Sequence, residues 1–342
     1  MTMRYIEIVG LDKPVSVLGL GAASRVFTPT TYDRAAELLE RFLGAGGNCI
    51  DTAHIYGFGD SEKTLGRWIQ ETGRRSELIL ITKGCHPAVD RDDILGKPWV
   101  SRLTPEAIRT DLGESLERLK TDYIDLYLLH RDDVSVQVGP IVEALNQEQT
   151  RGRIRAFGAS NWRVERLAEA NEYAAVHGLN GFVISSPNLS LARPKKMLFP
   201  GTLFADEATR QWHHDNQFPL LAWSALATGF MSGRFTPDQP TDENMTQVYY
   251  SDENFERLRR SQELATRKNA TVSQIGLAYV LGQAFPVIAL IGSTALSNLD
   301  DALGALNVDM SAAELDFLDL KQESLNCNET NFMLRRFEYV GL

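Results

Sequence analysis

The sequence predicts a single α/β domain folded as a (β/α)8 barrel. Eight short apolar runs each precede a segment in which apolar residues recur at helical spacing. The runs are continuously apolar, as is typical of parallel strands that helices cover on their outer face. The length of 342 residues suits one such barrel. We therefore expect residues 1–342 to form one domain, with the barrel core at about 16–322.

The eight predicted strands are short, and each ends on small or polar residues. In chain order they occupy 16–21, 48–51, 78–83, 123–130, 154–161, 181–186, 219–224 and 287–293. The opening segment, 3–17, predicts an additional N-terminal β-hairpin ahead of the first barrel strand.

A helical pattern follows each predicted strand. The helices are expected from about 31, at 61–69, at 104–119, near 138–149, at 164–177, near 205–216, near 252–269 and from about 297. Thr104 is a suitable N-cap for the third helix. Ser297 with Asp300, and Ser311 with Glu314, have the spacing of a capping box and predict the starts of the last two helices.

Two connections and one terminal segment are unusually long for a compact barrel. They are the loop 84–103, the loop 187–204 and the C-terminal tail 324–342. Long connections in a compact domain are commonly functional. We therefore expect these three segments to shape a substrate pocket.

Composition excludes several classes of protein. A net charge of −10 and a pI near 5.2 argue against a nucleic-acid partner, which would require a basic stripe. The three cysteines, Cys49, Cys85 and Cys327, are far apart and lack CxxC pairing, which favours reduced thiols over disulfides or a zinc site. No run of about 18 apolar residues and no signal peptide occur, so we expect a cytoplasmic protein without a membrane partner.

Polar side chains stand at the ends of three consecutive predicted strands. Asp51, Lys83 and His130 end the second, third and fourth strands, and Tyr56 follows Asp51 by one loop turn. Chemistry in such barrels resides at the C-terminal strand ends, which lie close together at the mouth. Each residue alone has a structural explanation, such as capping a turn or packing. Four proton-handling groups at neighbouring strand ends are hard to attribute to stability alone.

Seven motifs in order resemble the signatures of the aldo-keto reductase family. They read LGLGAAS, IDTAHIYG, ITKG, LYLLHRDD, FGASNW, LAWSALATGFMSGRF and LIGSTALSNLDDAL. The resemblance extends from about residue 5 to 322, and the ordered series is far more specific than any one motif. It implies a TIM barrel that binds a nicotinamide coenzyme without a Rossmann domain, in agreement with the independent strand count.

The resemblance implies a catalytic tetrad of Asp51, Tyr56, Lys83 and His130. The implied reaction reduces the carbonyl of an aldehyde, ketone or sugar-like substrate to an alcohol, with Tyr56 as the proton donor. A free phenol, with a pKa of about 10, is a poor acid at neutral pH. A cationic Lys83 would favour the phenolate, and Asp51 would hold Lys83 charged and in place. His130 would hydrogen-bond the carbonyl oxygen.

The resemblance also implies a coenzyme site. Its residues are Gly21, Asp51, Ser160, Asn161, Ser186, Trp223, Ser224, Leu226, Thr228, Gly292, Ser293, Thr294, Asn298 and Asp301. Ser160 and Asn161 would hold the nicotinamide carboxamide. Ser186 replaces a usual Gln, which shortens that contact. Trp223 would stack on the nicotinamide ring, or alternatively pack in the core, and the segment from Ser224 to Thr228 would meet the pyrophosphate.

The end of the site that meets the adenosine departs from the family pattern. Helix N-terminal amides near Gly292 suit a 2′-phosphate. Many members add a Lys or Arg there, but this chain has Gly292 and Asn298 at the matching positions and Asp301 in place of Glu. No Lys or Arg occurs between Lys268 and Lys321. NADP (NADPH) remains the cofactor that the family implies, with NAD (NADH) possible.

Two other functions compete with the reductase. Some relatives use the barrel as a cofactor-binding sensor subunit with slow turnover, and such a role is less expected here because we expect no added assembly segment outside the barrel. A metal-dependent barrel hydrolase would need several His and carboxylate ligands, and Lys83 among them argues against a metal site. Arg131, Asp132 and Asp133, which follow His130, are expected to serve their loop in preference to binding a polyhydroxylated substrate.

Overall fold

A short hairpin precedes the barrel in the computed structural model, which describes residues 2–23, 25–89, 100–197, 199–240 and 242–325. Its strands are β1 (Tyr5–Ile6) and β2 (Val15–Ser16), which pair antiparallel. The barrel strands are β3 (Leu18–Gly21), β4 (Cys49–Asp51), β5 (Ile79–Gly84), β6 (Ile124–Leu129), β7 (Ile154–Ser160), β8 (Ser185–Ser186), β9 (Leu220–Ala222) and β10 (Val287–Ile291). Both the predicted barrel and the predicted hairpin are confirmed.

The barrel closes in simple chain order. Each strand from β3 to β9 pairs parallel with the next, and β10 pairs with both β9 and β3. In this register Asp51 on β4 lies between Gly21 on β3 and Ile81 on β5. Lys83 follows Ile81 by two residues, so both side chains point to the same side of the sheet at neighbouring strand ends.

Eleven helices occur in the part of the chain that the structure describes. They are α1 (Tyr32–Gly44), α2 (Asp60–Thr72), α3 (Pro105–Leu119), α4 (Val138–Thr150), α5 (Val164–Val176), α6 (Glu207–Asn216), α7 (Glu243–Tyr249), α8 (Asp252–Lys268), α9 (Val272–Leu281), α10 (Leu296–Gly304) and α11 (Ala312–Leu318). None of them has the length and hydropathy of a membrane-spanning segment.

Helix caps test the sequence predictions in detail. The Thr104 hydroxyl accepts a hydrogen bond from the Ala107 amide and caps α3, and Ser311 with Glu314 forms the predicted capping box of α11. The prediction for Ser297 is wrong, because the cap of α10 is Ala295 and Ser297 already lies in the first turn. Helices α7 and α9 were not predicted. Helix α9 is buried over six consecutive residues, Ile275–Val280, so it has no amphipathic period to detect.

The core has two layers, and their arrangement leaves only one open end for a site. The inner cluster fills the barrel with residues such as Ile81, Leu128 and Ile288. Ile8 and Val15 of the hairpin region belong to this same cluster and are 3% and 1% exposed. The hairpin therefore covers the N-terminal end of the barrel. Solvent reaches the interior from the C-terminal end, where the polar side chains stand.

Helix α2 packs closely against α3, and a glycine permits the contact. A Cβ on Gly66 would lie 2.0 Å from the carbonyl oxygen of Arg118, whereas a Cβ on Gly113 would meet nothing within 4 Å. We expect Gly66→Ala to lower the free energy of unfolding by about 1–3 kcal/mol, because backbone must move to admit the methyl group. Gly113→Ala is the matched control and should be neutral or stabilising by up to about 1 kcal/mol. Urea unfolding measures both, and equal effects would contradict the packing.

Candidate active site

A cavity of about 1060 Å³ occupies the C-terminal end of the barrel. Its volume is at the upper end of ordinary small-molecule sites, so it has room for a coenzyme together with a small substrate. Asp51, Tyr56, Lys83 and His130 all line its wall. The structure thus brings together the four side chains that the strand ends predict to converge.

Lys83 and Asp51 form a buried ion pair at the floor of the cavity. The Lys83 Nζ lies 2.6 Å and 2.7 Å from the two carboxylate oxygens of Asp51, and it also donates to the Thr52 carbonyl at 3.0 Å. Burial alone would lower the pKa of Lys83, but the charge of Asp51 and the contact with Tyr56 outweigh it and hold this pKa above its ordinary value. The ammonium therefore stays charged although it is only 2% exposed.

Tyr56 is turned back over Lys83 by a short helical segment, Tyr56–Gly59. Gly57, Phe58 and Gly59 all adopt positive φ angles, of 58°, 54° and 94°. Two glycines in this turn supply the left-handed backbone at little steric cost. As a result, Lys83 Nζ donates a hydrogen bond to the Tyr56 hydroxyl oxygen at 3.2 Å. The phenol faces the cavity with an ammonium directly behind its oxygen.

His130 follows β6 on the other side of the phenol. Its ring meets the Tyr56 ring edge-to-face at 5.7 Å between centroids, and the His86 ring lies 4.8 Å away on another side. Burial, and next the charge of Arg131, hold the pKa of His130 well below its usual range. The imidazole is therefore neutral at neutral pH, with one N–H donor and one acceptor nitrogen. Its Nδ1 has no hydrogen-bond partner among the residues that the structure describes.

Asn161 connects several strand ends beside the tetrad. Its Nδ2 donates to the Ser160 hydroxyl and to the His130 carbonyl, at 2.9 Å and 3.3 Å. Its Oδ1 accepts hydrogen bonds from the Leu203 amide at 3.1 Å and from the Trp223 indole at 3.2 Å. Both Ser160 and Asn161 line the cavity. Trp223 is only partly buried and also lines it, so this indole is not simply part of the core.

The loop after β9 curls around a further part of the cavity. Ser224, Ala227, Thr228 and Gly229 have positive φ angles of 50°, 52°, 56° and 93°. Successive residues of this kind turn backbone amides toward one side, which suits an anion. Ser224, Leu226 and Thr228 line the cavity as the resemblance implies. Arg234 lines the cavity too, so a cation from outside the segment between Lys268 and Lys321 reaches it.

Comparison with known proteins agrees with this geometry. A model of the Aldo/keto reductase family matches residues 17–323. This chain belongs to the aldo/keto reductase family. It is 28% identical to the NADH-specific methylglyoxal reductase of Escherichia coli, over 94% of this chain and 99% of that protein. It is also 28% identical to the Schizosaccharomyces pombe aldo-keto reductase yakc, named for NADP(+), over 87% and 86% of the two chains. Norsolorinic acid reductase stcV of Emericella nidulans is 29% identical, over 86% and 73%.

Membership of the aldo/keto reductase family distinguishes the predicted reductase from the alternative sensor subunit. The chain is a carbonyl-reducing oxidoreductase that uses a nicotinamide coenzyme, as predicted. The comparisons do not support the sensor-subunit alternative. Among the described residues, no group of three or more His, Cys, Asp or Glu side chains could hold a metal ion.

One residue expected in the coenzyme site of this reductase lies elsewhere. The Ser186 side chain is completely buried and does not line the cavity, and its hydroxyl has no hydrogen-bond partner among the described residues. Its backbone carbonyl contacts a residue of the cavity wall, because it accepts a hydrogen bond from the Ser160 hydroxyl at 2.9 Å. The contact of Ser186 with the coenzyme therefore stays a prediction, and the side chain that would make it does not line the cavity.

The far end of the cavity carries the carboxylate of Asp301, while Gly292 and Asn298 stand at the two positions where the resemblance implies a Lys or Arg. Gly292, Ser293, Thr294, Asn298 and Asp301 all line this end. The Asp301 carboxylate accepts hydrogen bonds from the Thr271 hydroxyl at 2.8 Å and from the Gln274 amide at 3.1 Å, which fix its position. Gly21, also expected at the site, lines the cavity as well.

The loops contribute the remaining wall. Phe199 and Thr202 of the loop 187–204 line the cavity, as predicted for a pocket-shaping segment. Of the loop 84–103, His86 and Val89 line it, and residues 90–99 lie outside the described residues. The same holds for 326–342 of the predicted tail.

Proposed function

We propose that this chain is an NAD(P)H-dependent reductase of aldehydes, ketones or sugar-like carbonyl compounds, with Tyr56 as the proton donor. The observation that carries the proposal is the position of Lys83 Nζ, which contacts the Asp51 carboxylate and the Tyr56 hydroxyl at once. This arrangement places a fixed positive charge against the oxygen of an acidic hydroxyl that faces a cavity.

Each tetrad residue has a distinct task in the proposed reaction. Ser160, Asn161 and Trp223 would hold a nicotinamide coenzyme, which would supply a hydride for the carbonyl carbon. Tyr56 gives its proton to the carbonyl oxygen, and the phenol oxygen then carries negative charge. The Lys83 ammonium, 3.2 Å away, stabilises that charge. Asp51 keeps the ammonium protonated and aimed, because a buried lysine without a carboxylate partner would lose its charge.

His130 positions the substrate in this account. A neutral imidazole can donate one hydrogen bond to the carbonyl oxygen, and the low pKa of His130 keeps it in that state. The donor lies beside the Tyr56 ring, so both residues can reach one oxygen atom. His130 thereby holds the carbonyl oxygen where Tyr56 delivers the proton.

The remaining cavity residues fit a dinucleotide. Asn161, Ser160 and Trp223 would meet the nicotinamide, whose ring would lie against the indole. The left-handed loop from Ser224 to Gly229 would direct amides at the pyrophosphate. Arg234 would add the positive charge that is missing from the segment between Lys268 and Lys321. A Cβ on Gly292 would meet nothing within 4 Å, so the wall is open at the adenosine end.

The charges at the adenosine end favour binding of NADH at least as much as binding of NADPH. Gly292 and Asn298 supply no cation for the 2′-phosphate that distinguishes NADPH, whereas the Asp301 carboxylate can accept a hydrogen bond from a ribose hydroxyl. The printed name of the E. coli relative specifies NADH. Against this, Arg234 attracts phosphates in general and the S. pombe relative is named for NADP(+). We therefore expect both coenzymes to work.

Coenzyme binding and turnover test this proposal together. We expect both coenzymes to quench tryptophan fluorescence through Trp223 and to be oxidised in the presence of a neutral aldehyde such as benzaldehyde. The Kd of NADH should equal or lie below that of NADPH. Asp301→Asn should lower the Kd of NADPH by about two- to fivefold, the effect of one partly exposed charge, and leave that of NADH unchanged.

The outcomes separate the two parts of the proposal. Absence of binding by either coenzyme would overturn the assignment of function. Binding of NADPH more than about tenfold tighter than NADH, a difference of about 1.4 kcal/mol, would overturn only the coenzyme preference.

A further inference from the structure

Arg118 lies behind the turn that carries Tyr56. It belongs to the last turn of α3 and does not line the cavity. Its Nη1 donates a hydrogen bond to the backbone carbonyl of His54 at 3.3 Å. A Cβ on Gly59 would lie 3.0 Å from the Nε, Cζ and Nη1 atoms of Arg118, so the guanidinium packs directly on this glycine. One side chain therefore contacts both ends of the turn 54–59, in which Tyr56 stands.

Two carboxylates fix the guanidinium in this position. Arg118 Nη1 lies 3.2 Å from one oxygen of Glu62, which is completely buried, and Nη2 donates to Glu114 at 2.6 Å. The Glu114 carboxylate also contacts His54 Nε2 at 2.8 Å. A guanidinium presents its N–H donors in a rigid plane, so it can meet two carboxylates and a carbonyl at once. The Arg118 side chain is therefore held from several directions.

The same contacts reach the strand that carries Lys83. The other oxygen of Glu62 accepts a hydrogen bond from the Thr82 hydroxyl at 2.7 Å. The His54 amide donates to the Lys83 carbonyl at 2.9 Å. Arg118 is thus bonded to the turn that holds the phenol and, through Glu62, to the strand that holds the ammonium. The separation of these two elements sets the 3.2 Å hydrogen bond between Lys83 Nζ and the phenol oxygen.

The backbone of the turn 54–59 requires support from outside. Its last three residues, Gly57, Phe58 and Gly59, have positive φ angles in succession. Glycine adopts many conformations with similar ease, and a phenylalanine with positive φ is held against its preference. Contacts from the rest of the fold must therefore select this one conformation. Arg118 makes such contacts at the beginning and at the end of the turn.

We propose that Arg118 is a positioning residue for the proton donor, because it holds the turn 54–59 against α3 and thereby keeps the Tyr56 hydroxyl beside Lys83. The inference rests on the proposed reductase function and adds to it a residue outside the cavity. Arg118 contacts neither substrate nor coenzyme, so its loss should slow proton transfer without weakening coenzyme binding. A displacement of about 1 Å near a reacting group can lower a rate by about 100-fold.

Arg118→Gln tests this role against a matched control. We expect the single-turnover rate of benzaldehyde reduction to fall about 10- to 100-fold, and the coenzyme Kd to change by less than about twofold. Arg75 is the control, since its guanidinium also joins a buried carboxylate, that of Asp125 at 2.8 Å, to a backbone carbonyl, that of Tyr123 at 2.8 Å. It precedes β5 and lies at the opposite end of the barrel. Arg75→Gln should lower the urea midpoint as Arg118→Gln does and leave the rate unchanged.

A double-mutant cycle shows whether Arg118 acts through Tyr56. The variant Tyr56→Phe has no phenol hydroxyl to position, so the addition of Arg118→Gln should lower its residual rate by less than about twofold. A general loosening of the cavity would lower the rate by the same factor in both backgrounds. That result would overturn the proposed role, and so would a wild-type rate in Arg118→Gln alone.

The conservative variant Arg118→Lys separates position from charge. A lysine keeps a cation beside Glu62 and Glu114, so the urea midpoint should stay close to that of the wild type. An ammonium has no planar face to cover Gly59, so the rate should remain at least about fivefold below the wild-type value. A wild-type rate in Arg118→Lys would overturn the role of the guanidinium.

The cycle with Tyr56→Phe is measured with Arg118→Lys if Arg118→Gln does not fold. The variant results bear on Arg118 alone and leave the reductase function standing. Failure of the wild type to reduce benzaldehyde with either coenzyme would overturn the proposed function, and this inference with it.

Discussion

Replacing Tyr56 by Phe lowers kcat for aldehyde reduction by about 10²- to 10⁴-fold, the usual contribution of a positioned general acid. The change removes one oxygen atom, so the ring can keep its edge-to-face contact with His130. Coenzyme Kd values should stay close to those of the wild type, because the phenol serves the substrate side. Single-turnover kinetics with a neutral aldehyde, together with fluorescence titration of the coenzyme, measure the two effects separately.

Tyr173→Phe provides the matched control for this loss. Its hydroxyl donates to Glu143 at 2.6 Å and does not line the cavity, so reduction should proceed at the wild-type rate. Near-full activity in Tyr56→Phe would mean that another group supplies the proton, and the assignment of the tetrad would fail.

Loss of Lys83 affects both activity and stability. Lys83→Met should lower kcat by about 10²-fold or more, since the charge behind the phenol oxygen disappears. It should also lower the free energy of unfolding by about 3–5 kcal/mol, because the Asp51 carboxylate is left buried at 2% exposure without its partner. Urea unfolding and steady-state kinetics measure the two losses.

The double variant Asp51→Asn/Lys83→Met separates these effects. Removing both charges eliminates the unpaired carboxylate, so most of the lost stability should return. Activity should not return, since the phenol oxygen still lacks the ammonium. Recovery of activity in the double variant would show that Lys83 acts only by holding the fold together.

The barrel could be predicted from sequence because parallel strands covered by helices produce continuous apolar runs that stand apart from amphipathic helices. Convergence of Asp51, Lys83 and His130 followed from the same prediction, since consecutive parallel strands end at one rim. Helix α9 could not be predicted in this way. It is buried on nearly all sides, so its apolar residues do not recur at helical spacing.

Single side chains around the cavity were harder to predict than the tetrad. Sequence spacing does not reveal which side of a loop a residue faces, so the sequence did not distinguish Arg131, which lines the cavity, from Asp132 and Asp133, which do not. The identity of a residue at a matched position does not show whether its side chain reaches the cavity. Ser186 is therefore a candidate from sequence, although its side chain is completely buried. Arg234 lies in the motif LAWSALATGFMSGRF, but its approach to the cavity depends on the left-handed turn before it.

Transfer of deuterium tests the central claim most directly. The wild-type protein is incubated with benzaldehyde and NADH or NADPH that carries deuterium at both positions of nicotinamide C4, and the alcohol is analysed by mass spectrometry and NMR. We expect one deuterium on the former carbonyl carbon of the alcohol, none on its oxygen in ordinary water, and little product with Tyr56→Phe in the same time. An alcohol without deuterium, or no alcohol with either coenzyme, would contradict the proposed function.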